Sequence, residues 1–252
     1  MKEKLYTIPL NDAFNEHDEC PFCFIERKLE QDMLDFLLGN CSSYMESDIR
    51  STTDQEGFCQ LHFQKMYDYS NTLGNGWILK THYETMIKEM KQQFQSFDSK
   101  KLSLFSKKSN APSQNSLVNW IQEKEESCYV CKRSKEIFER YLDTFFVLFK
   151  TESEFHTKIK ESKGFCLSHL KKLCIMADIQ LKEDQKKEFY EIVFKLMEEN
   201  MVRVSEDVSW LVEKFDYRNH DADWKDSKDA VQRGMQKLKG GYPADAPYKM
   251  NK

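Results

Sequence analysis

The stretch "GFCQLH", residues 57–62, returns as "GFCLSH", residues 164–169, in a chain that has only eight Gly and eight Cys. Each occurrence is preceded by a Cys-x-x-Cys. Cys20-Pro21-Phe22-Cys23 stands ahead of the first, and Cys128-Tyr129-Val130-Cys131, 108 residues on, stands ahead of the second. Leu34-Asp35 falls on Leu142-Asp143 at the same offset. One residue is then lost, and Gly57-Phe58-Cys59, His62, Tyr83-Glu84 and Met90 fall on Gly164-Phe165-Cys166, His169, Tyr190-Glu191 and Met197 at an offset of 107. Ordered matches across residues 20–94 and 128–201 read as a duplicated unit.

The repeated residues have a chemistry in common. Cys-x-x-Cys puts two sulfurs on one turn, and Cys-x-x-His at a helix start puts a sulfur and an imidazole on one side. Together they make the Cys3His donor set of a closed tetrahedral zinc site, with Zn–S near ~2.3 Å and Zn–N near ~2.0 Å. The ligands expected in copy one are Cys20, Cys23, Cys59 and His62, and in copy two Cys128, Cys131, Cys166 and His169. The Gly gives a sharp entry close to the metal. The Phe packs beside the site. A thiolate at a helix N-terminus is favoured by the free N–H groups there. Arg27, Lys28, Lys132, Arg133, Lys171 and Lys172 stand nearby, as compensating charge or as an ordinary solvated face. The expected cofactor is two Zn2+, one per copy; the same donors also suit an iron–sulfur cluster or a redox sensor. A fully ligated ion has no open position, so it supports folding and not metal catalysis. Cys41 and Cys174 have no counterpart in the other copy and read as a free thiol and a core residue. His82 reads as a core or interface histidine.

The rest of the composition sets the fold class. Five Pro and eight Gly in 252 residues disfavour a turn-rich β protein, and long runs of Glu, Lys, Leu, Met and Gln favour helix. Apolar spacing near 3.6 runs from Phe24 through Ile25, Leu29, Met33, Phe36 and Leu37, and again through Ile137, Tyr141, Phe145 and Leu148. Shorter helices begin at each GFC. A third stripe, Ile78, His82, Met86, Met90 and Phe94, has a longer counterpart from Phe189 through Val193, Met197, Met201, Val204, Val208 and Leu211 to Phe215. These stripes read as core. The expected architecture is all-α, with two duplicated helical units, each clipped by a Cys3His site, a long helix in the C-terminal half and a short docking helix. The divisions are residues 1–97 for the first metal-binding repeat, 98–115 for a Ser/Lys-rich linker, 116–217 for the second repeat and 218–252 for a polar C-terminal segment.

Formal net charge is −4, so no global basic field favours nucleic acid. No apolar run reaches the roughly 20 residues of a membrane helix, and no signal peptide is legible. A cytoplasmic protein follows, in which cysteines serve as ligands and not as disulfides. In the segment "KFDYRNHDADWKDSKDAVQRGMQKLKGGYP", residues 214–243, the bland reading is a polar turn plus a short helix that ends at Gly240-Gly241. The sharper reading is a surface for a protein partner or a small anionic ligand, built from Arg218, Asn219, Trp224 and Lys228. No nucleophile–base pair, P-loop or dinucleotide fingerprint is present.

CPFC followed by GFCxxH, a second CxxC…GFCLxHL, and the closing KFDYRN…SKDA…R segment resemble an uncharacterised bacterial domain-of-unknown-function family, found largely in anaerobic Gram-positive bacteria. The resemblance spans nearly the whole chain. It implies a cytoplasmic, mostly helical protein and transfers no activity. The functional expectation is a zinc-binding module for binding or regulation. The alternatives are an enzyme with its site in the groove between the repeats, near the C-terminal segment, and a sensor using the same cysteines.

Overall fold

The computed structural model of the protein describes residues 4–40, 43–96 and 116–243. The expected linker and Cys41 lie outside these. Among the described residues there are eleven α-helices, two short 3-10 turns and no strand. In chain order the helices are α1 (Lys4–Asn15), α2 (Pro21–Leu38), α3 (Ser47–Glu56), α4 (Gln60–Asp68), α5 (Thr72–Ser96), α6 (Ser116–Glu126), α7 (Tyr129–Thr151), α8 (Ser153–Glu161), α9 (Leu167–Gln180), α10 (Glu183–Glu213) and α11 (Ala230–Lys239). No described helix is long and apolar enough to cross a membrane.

The helix starts keep the spacing of the sequence match. α2 begins one residue after Cys20 and α7 one residue after Cys128. α4 and α9 are N-capped by Cys59 and Cys166, in nearly the same extended conformation. The glycines before those caps both take positive φ, +62° at Gly57 and +77° at Gly164, which only glycine adopts without strain. α10 starts with Gln185 folding back on the Lys182 N–H and with Glu183 and Asp184 in its first turn, where the helix dipole favours acid.

Packing divides the chain differently from the sequence. One compact unit joins the residues up to Leu29 to those from Lys135 onward; the other runs from Glu30 to Ser134. The unit boundaries therefore fall inside α2 and α7. In the first unit the start of α2 joins α1 and the bodies of α7 to α10. Its core is aromatic: Phe22, Phe145, Phe146, Phe155, Phe165 and Phe189 are all essentially buried. Each ring of that size removed from water contributes about 1.5–3 kcal/mol. α11 closes this unit by packing on α9 and α10. The second unit's core holds Leu34, Leu37, Leu38, Phe58, Met66, Tyr69 and Ile78 with Tyr129 and Val130 from the start of α7. α5 packs on α3, α4 and α6 there.

The apolar stripes are core only in part. On α10, Phe189, Val193, Met197 and Val204 are buried, as the period requires, but Phe215 falls past the helix and is exposed. On α5 Ile78 is buried and His82, Met86 and Met90 are half-buried, but Phe94 is exposed, as are Leu79, Tyr83 and Ile87 off the stripe. On α2, Phe36 is exposed, and Leu34 and Leu38 fill the core instead. α11 reverses the usual pattern altogether. It buries Ala230, Arg233, Gln236 and Lys237 and exposes Val231, Met235 and Leu238.

Candidate metal centres

All eight candidate ligands are gathered into two clusters, but the pairing is crossed. Cys20 and Cys23 of the first Cys-x-x-Cys meet Cys166 and His169, and Cys59 and His62 meet Cys128 and Cys131. The expectation that each copy supplies its own four ligands is overturned: each cluster takes its CxxC from one copy and its GFCxxH from the other. Each nonetheless lies wholly within one compact unit.

The geometry is that of a single small ion. Within each cluster the four donor atoms all lie within 4.8 Å of one another. In the first, Sγ of Cys20, Cys23 and Cys166 lies 3.3, 3.5 and 3.2 Å from Nδ1 of His169, and the Cys23 and Cys166 sulfurs are 3.7 Å apart. In the second, Sγ of Cys59, Cys128 and Cys131 lies 3.2, 3.3 and 3.4 Å from Nδ1 of His62, with the Cys59 and Cys131 sulfurs 3.8 Å apart. A tetrahedral zinc with the bond lengths above has edges of about 3.8 Å between sulfurs and about 3.5 Å between sulfur and nitrogen. These separations match both edge lengths.

Local structure explains how the donors converge. Cys23 N–H and Phe24 N–H donate to the Cys20 carbonyl, which winds the first turn of α2. The amides of His169 and Cys131 point at the sulfurs of Cys166 and Cys128, at 3.4 and 3.5 Å. Two helix N-termini meet at each cluster, α2 with α9 and α4 with α7. Their free N–H groups offset the net −1 of three thiolates around a divalent ion. In the second unit a Tyr129 N–H to Gly57 carbonyl bond of 2.9 Å ties one turn to the other.

Each imidazole is oriented from behind. Nε2 of His169 faces Glu26 Oε1 at 3.1 Å, and Glu26 also holds Lys172. Nε2 of His62 faces Glu30 Oε1 at 3.2 Å, and Glu30 also holds Lys65. The His62–Glu30 contact is a hydrogen bond and fixes the tautomer that leaves Nδ1 free to bind a metal. Glu26 is within ion-pair distance of His169 Nε2, which itself makes no hydrogen bond. Burial works against charge on either ring, yet the thiolates and carboxylates push His62 up to about 10 and His169 up to about 11. Glu26 would be raised by burial alone, but His169 and Lys172 draw it below its ordinary value.

The two clusters differ in exposure. Cys20, Cys23, Cys166 and His169 are all buried. In the other cluster Cys128 and His62 are buried, Cys59 is half-buried and Cys131 is exposed. Over the buried cluster sits the end of α11. A Cβ on Gly240 would lie 3.3 Å from the Cys166 sulfur and 3.6 Å from that of Cys23, so the backbone itself covers the thiolates. Lys237, also buried, donates to the carbonyls of Glu19 and Lys163 and pairs with Glu19 Oε2 at 3.2 Å. Gln236 donates to Asp18 Oδ1, which also accepts the Cys20 N–H.

The chain belongs to a family of unknown function, DUF6062. The family model matches residues 1–245. No curated protein and no solved structure matches the chain.

In this member of DUF6062 the four C-terminal candidates are placed as parts of a turn. The Lys214 ammonium collects the carbonyls of Asn219, His220 and Ala222 and lies 5.0 Å from the centre of the Trp224 ring. Arg218 is 72% exposed and its guanidinium is engaged by Asp216 of its own turn, at 2.7 Å. Lys228 is exposed. Of the basic residues near the motifs, Lys132 and Arg133 pair with Glu56, Lys172 with Glu26 and Arg27 with Asp18. His82 Nδ1–H donates to the Asp54 carbonyl at 2.9 Å, as a satisfied histidine does, and Cys174 is half-buried.

Sequence reasoning missed Glu26, Glu30, Lys237 and Gly240. The glutamates sit on α2 in an ordinary charged helix pattern. Lys237 lies on, and Gly240 caps, a helix whose buried stripe is polar, so apolar periodicity does not show which face packs.

Proposed function

We propose that this is a cytoplasmic zinc protein in which two structural Cys3His sites hold a duplicated helical scaffold that acts as a binding or regulatory module. The observation that carries the reading is the mutual approach of four donor atoms in each cluster, at the edge lengths of one tetrahedral ion. Three sulfurs and one imidazole are the donors that zinc takes in closed structural sites. A cluster with several irons spreads its ligands over different metal atoms and needs a wider cage. With all four positions filled by protein, the ion has no place for substrate, and its binding energy goes into folding. The matching caps, turns and helix starts support a duplication whose copies exchange their CxxC hooks. Thiolate ligands on six cysteines suit a reducing compartment.

The test is metal stoichiometry in paired variants of protein purified without air. Crossed ligation expects two zinc per chain, one left in Cys23→Ser/Cys166→Ser and none firmly held in Cys23→Ser/Cys59→Ser. Ligation within copies expects the reverse. Iron with sulfide in place of zinc would overturn the assignment of the metal.

A further inference from the structure

We propose that Cys131 and Cys59 form a peroxide-oxidisable pair, through which the second cluster gives up its metal while the first keeps its own. This rests on the zinc reading above and adds to it a modification site.

The two clusters offer the same donors in different surroundings. Reaction with an oxidant needs a sulfur that solvent can reach, and susceptibility follows thiolate character and exposure. In the first cluster every ligand is buried, aromatic rings of Phe22 and Phe138 flank His169, and the Gly240 backbone covers two of the sulfurs. In the second, Cys131 is exposed among the described residues and Cys59 is half-buried. These two sulfurs are also neighbours, 3.8 Å apart, so the resolving thiolate is already beside the one that would be attacked. Cys128 and His62 lie deeper and are the ligands that stay behind.

The chemistry balances with hydrogen peroxide as the oxidant. The Cys131 thiolate attacks one peroxide oxygen. The O–O bond breaks, hydroxide leaves, and Cys131 becomes a sulfenic acid. The Cys59 thiolate then attacks the Cys131 sulfur, forms the S–S bond and expels a second hydroxide. Two sulfurs lose two electrons in all, the peroxide gains them, and solvent protons convert both hydroxides to water. A zinc left with Cys128 and His62 has lost two of four ligands and passes to water or a chelator. A thiol reductant reverses the step.

The experiment uses the full-length, zinc-loaded chain with a chromogenic zinc indicator and hydrogen peroxide, followed by alkylation and peptide mapping. The expected result is loss of one of the two zinc ions, a Cys59–Cys131 disulfide, unmodified Cys20, Cys23 and Cys166, and rebinding after reduction. Cys131→Ser is expected to abolish the oxidant-dependent release. That change also removes a ligand, so mapping of the unaltered chain decides. Two zinc ions that leave together, a first cluster that oxidises before the second, or resistance of both would overturn the inference with the zinc reading intact. A chain that carries no zinc before peroxide is added would overturn the zinc reading, and this inference with it.

Discussion

Replacing Lys237 by methionine tests whether α11 is a brace of the first metal centre. The side chain is about the same length, and it removes only the ammonium. That ammonium donates to two main-chain carbonyls, Glu19 and Lys163, and pairs with Glu19 Oε2. Oε2 of Glu19 keeps a partner, because Arg203 remains 2.6 Å away; Oε1 makes no hydrogen bond in either case. The loss therefore falls on the two carbonyls, and an acceptor left unsatisfied in the interior costs about 1–3 kcal/mol. Part of this is offset. Burial pulls the Lys237 pKa below its ordinary value despite Glu19, so the ammonium itself is held at some expense, which methionine relieves. The net expectation is about 2–4 kcal/mol. At about 2–4 °C per kcal/mol for a protein of this size, the melt falls by roughly 5–15 °C. Circular dichroism of the zinc-loaded protein reads it, and chelator competition should show the first zinc leaving sooner. Arg218→Ala is the control. Its partner is Asp216 on an exposed turn, and loss of such a solvent-screened pair should leave the melt essentially unchanged. A Lys237→Met melt within about 1 °C of the parent would refute the brace, since a shift of that size is worth well under 1 kcal/mol.

Gly240→Ala places a Cβ in a left-handed conformation, at φ +81°, and against the Cys166 sulfur; we expect about 1–2 kcal/mol of destabilisation and faster loss of the first zinc to a chelator, with the second unchanged. Glu26→Gln and Glu30→Gln each remove the carboxylate behind one histidine, so each should weaken its own site by about 10–100-fold in a competition assay and leave the other alone. Zinc affinity should rise with pH through neutrality. His62 and His169 are pushed up to about 10 and 11 without metal, so binding must displace a proton from each ring, and calorimetry in buffers of different ionisation enthalpy counts the protons released.

The ligands and the starts of α2, α4, α7, α9 and α10 were legible in the sequence because they are local. A Cys-x-x-His at a helix cap needs only its own turn, and α10 was readable from Glu183 because its stripe, cap and acidic first turn agree. α3, α6 and α8 were not read, nor was α1, where Pro9 inside the helix obscures the pattern. The α5 stripe is only partly covered and its end, Phe94, is exposed, because an apolar period states which face would be buried but not whether anything arrives to bury it. The short helix α11 and its end at Gly240 were legible; its buried face was not, because that face is held by ion pairs and hydrogen bonds.

What the sequence by itself determined is the inventory: which eight side chains could hold metal, in two sets of three sulfurs and one imidazole, on a helical chain. What only the tertiary structure decided is which four donors come together. Spacing cannot choose, because each CxxC is chemically equivalent toward either GFCxxH. Packing does choose. Phe22, between the first pair of cysteines, packs against Phe138, Phe145 and Phe165, rings that belong to the second copy. Tyr129, between the second pair, packs beside Phe58 of the first and is tied to the Gly57 carbonyl. Burial of those aromatic side chains draws each hook into the other copy's helical body, and the metal ligands follow the rings.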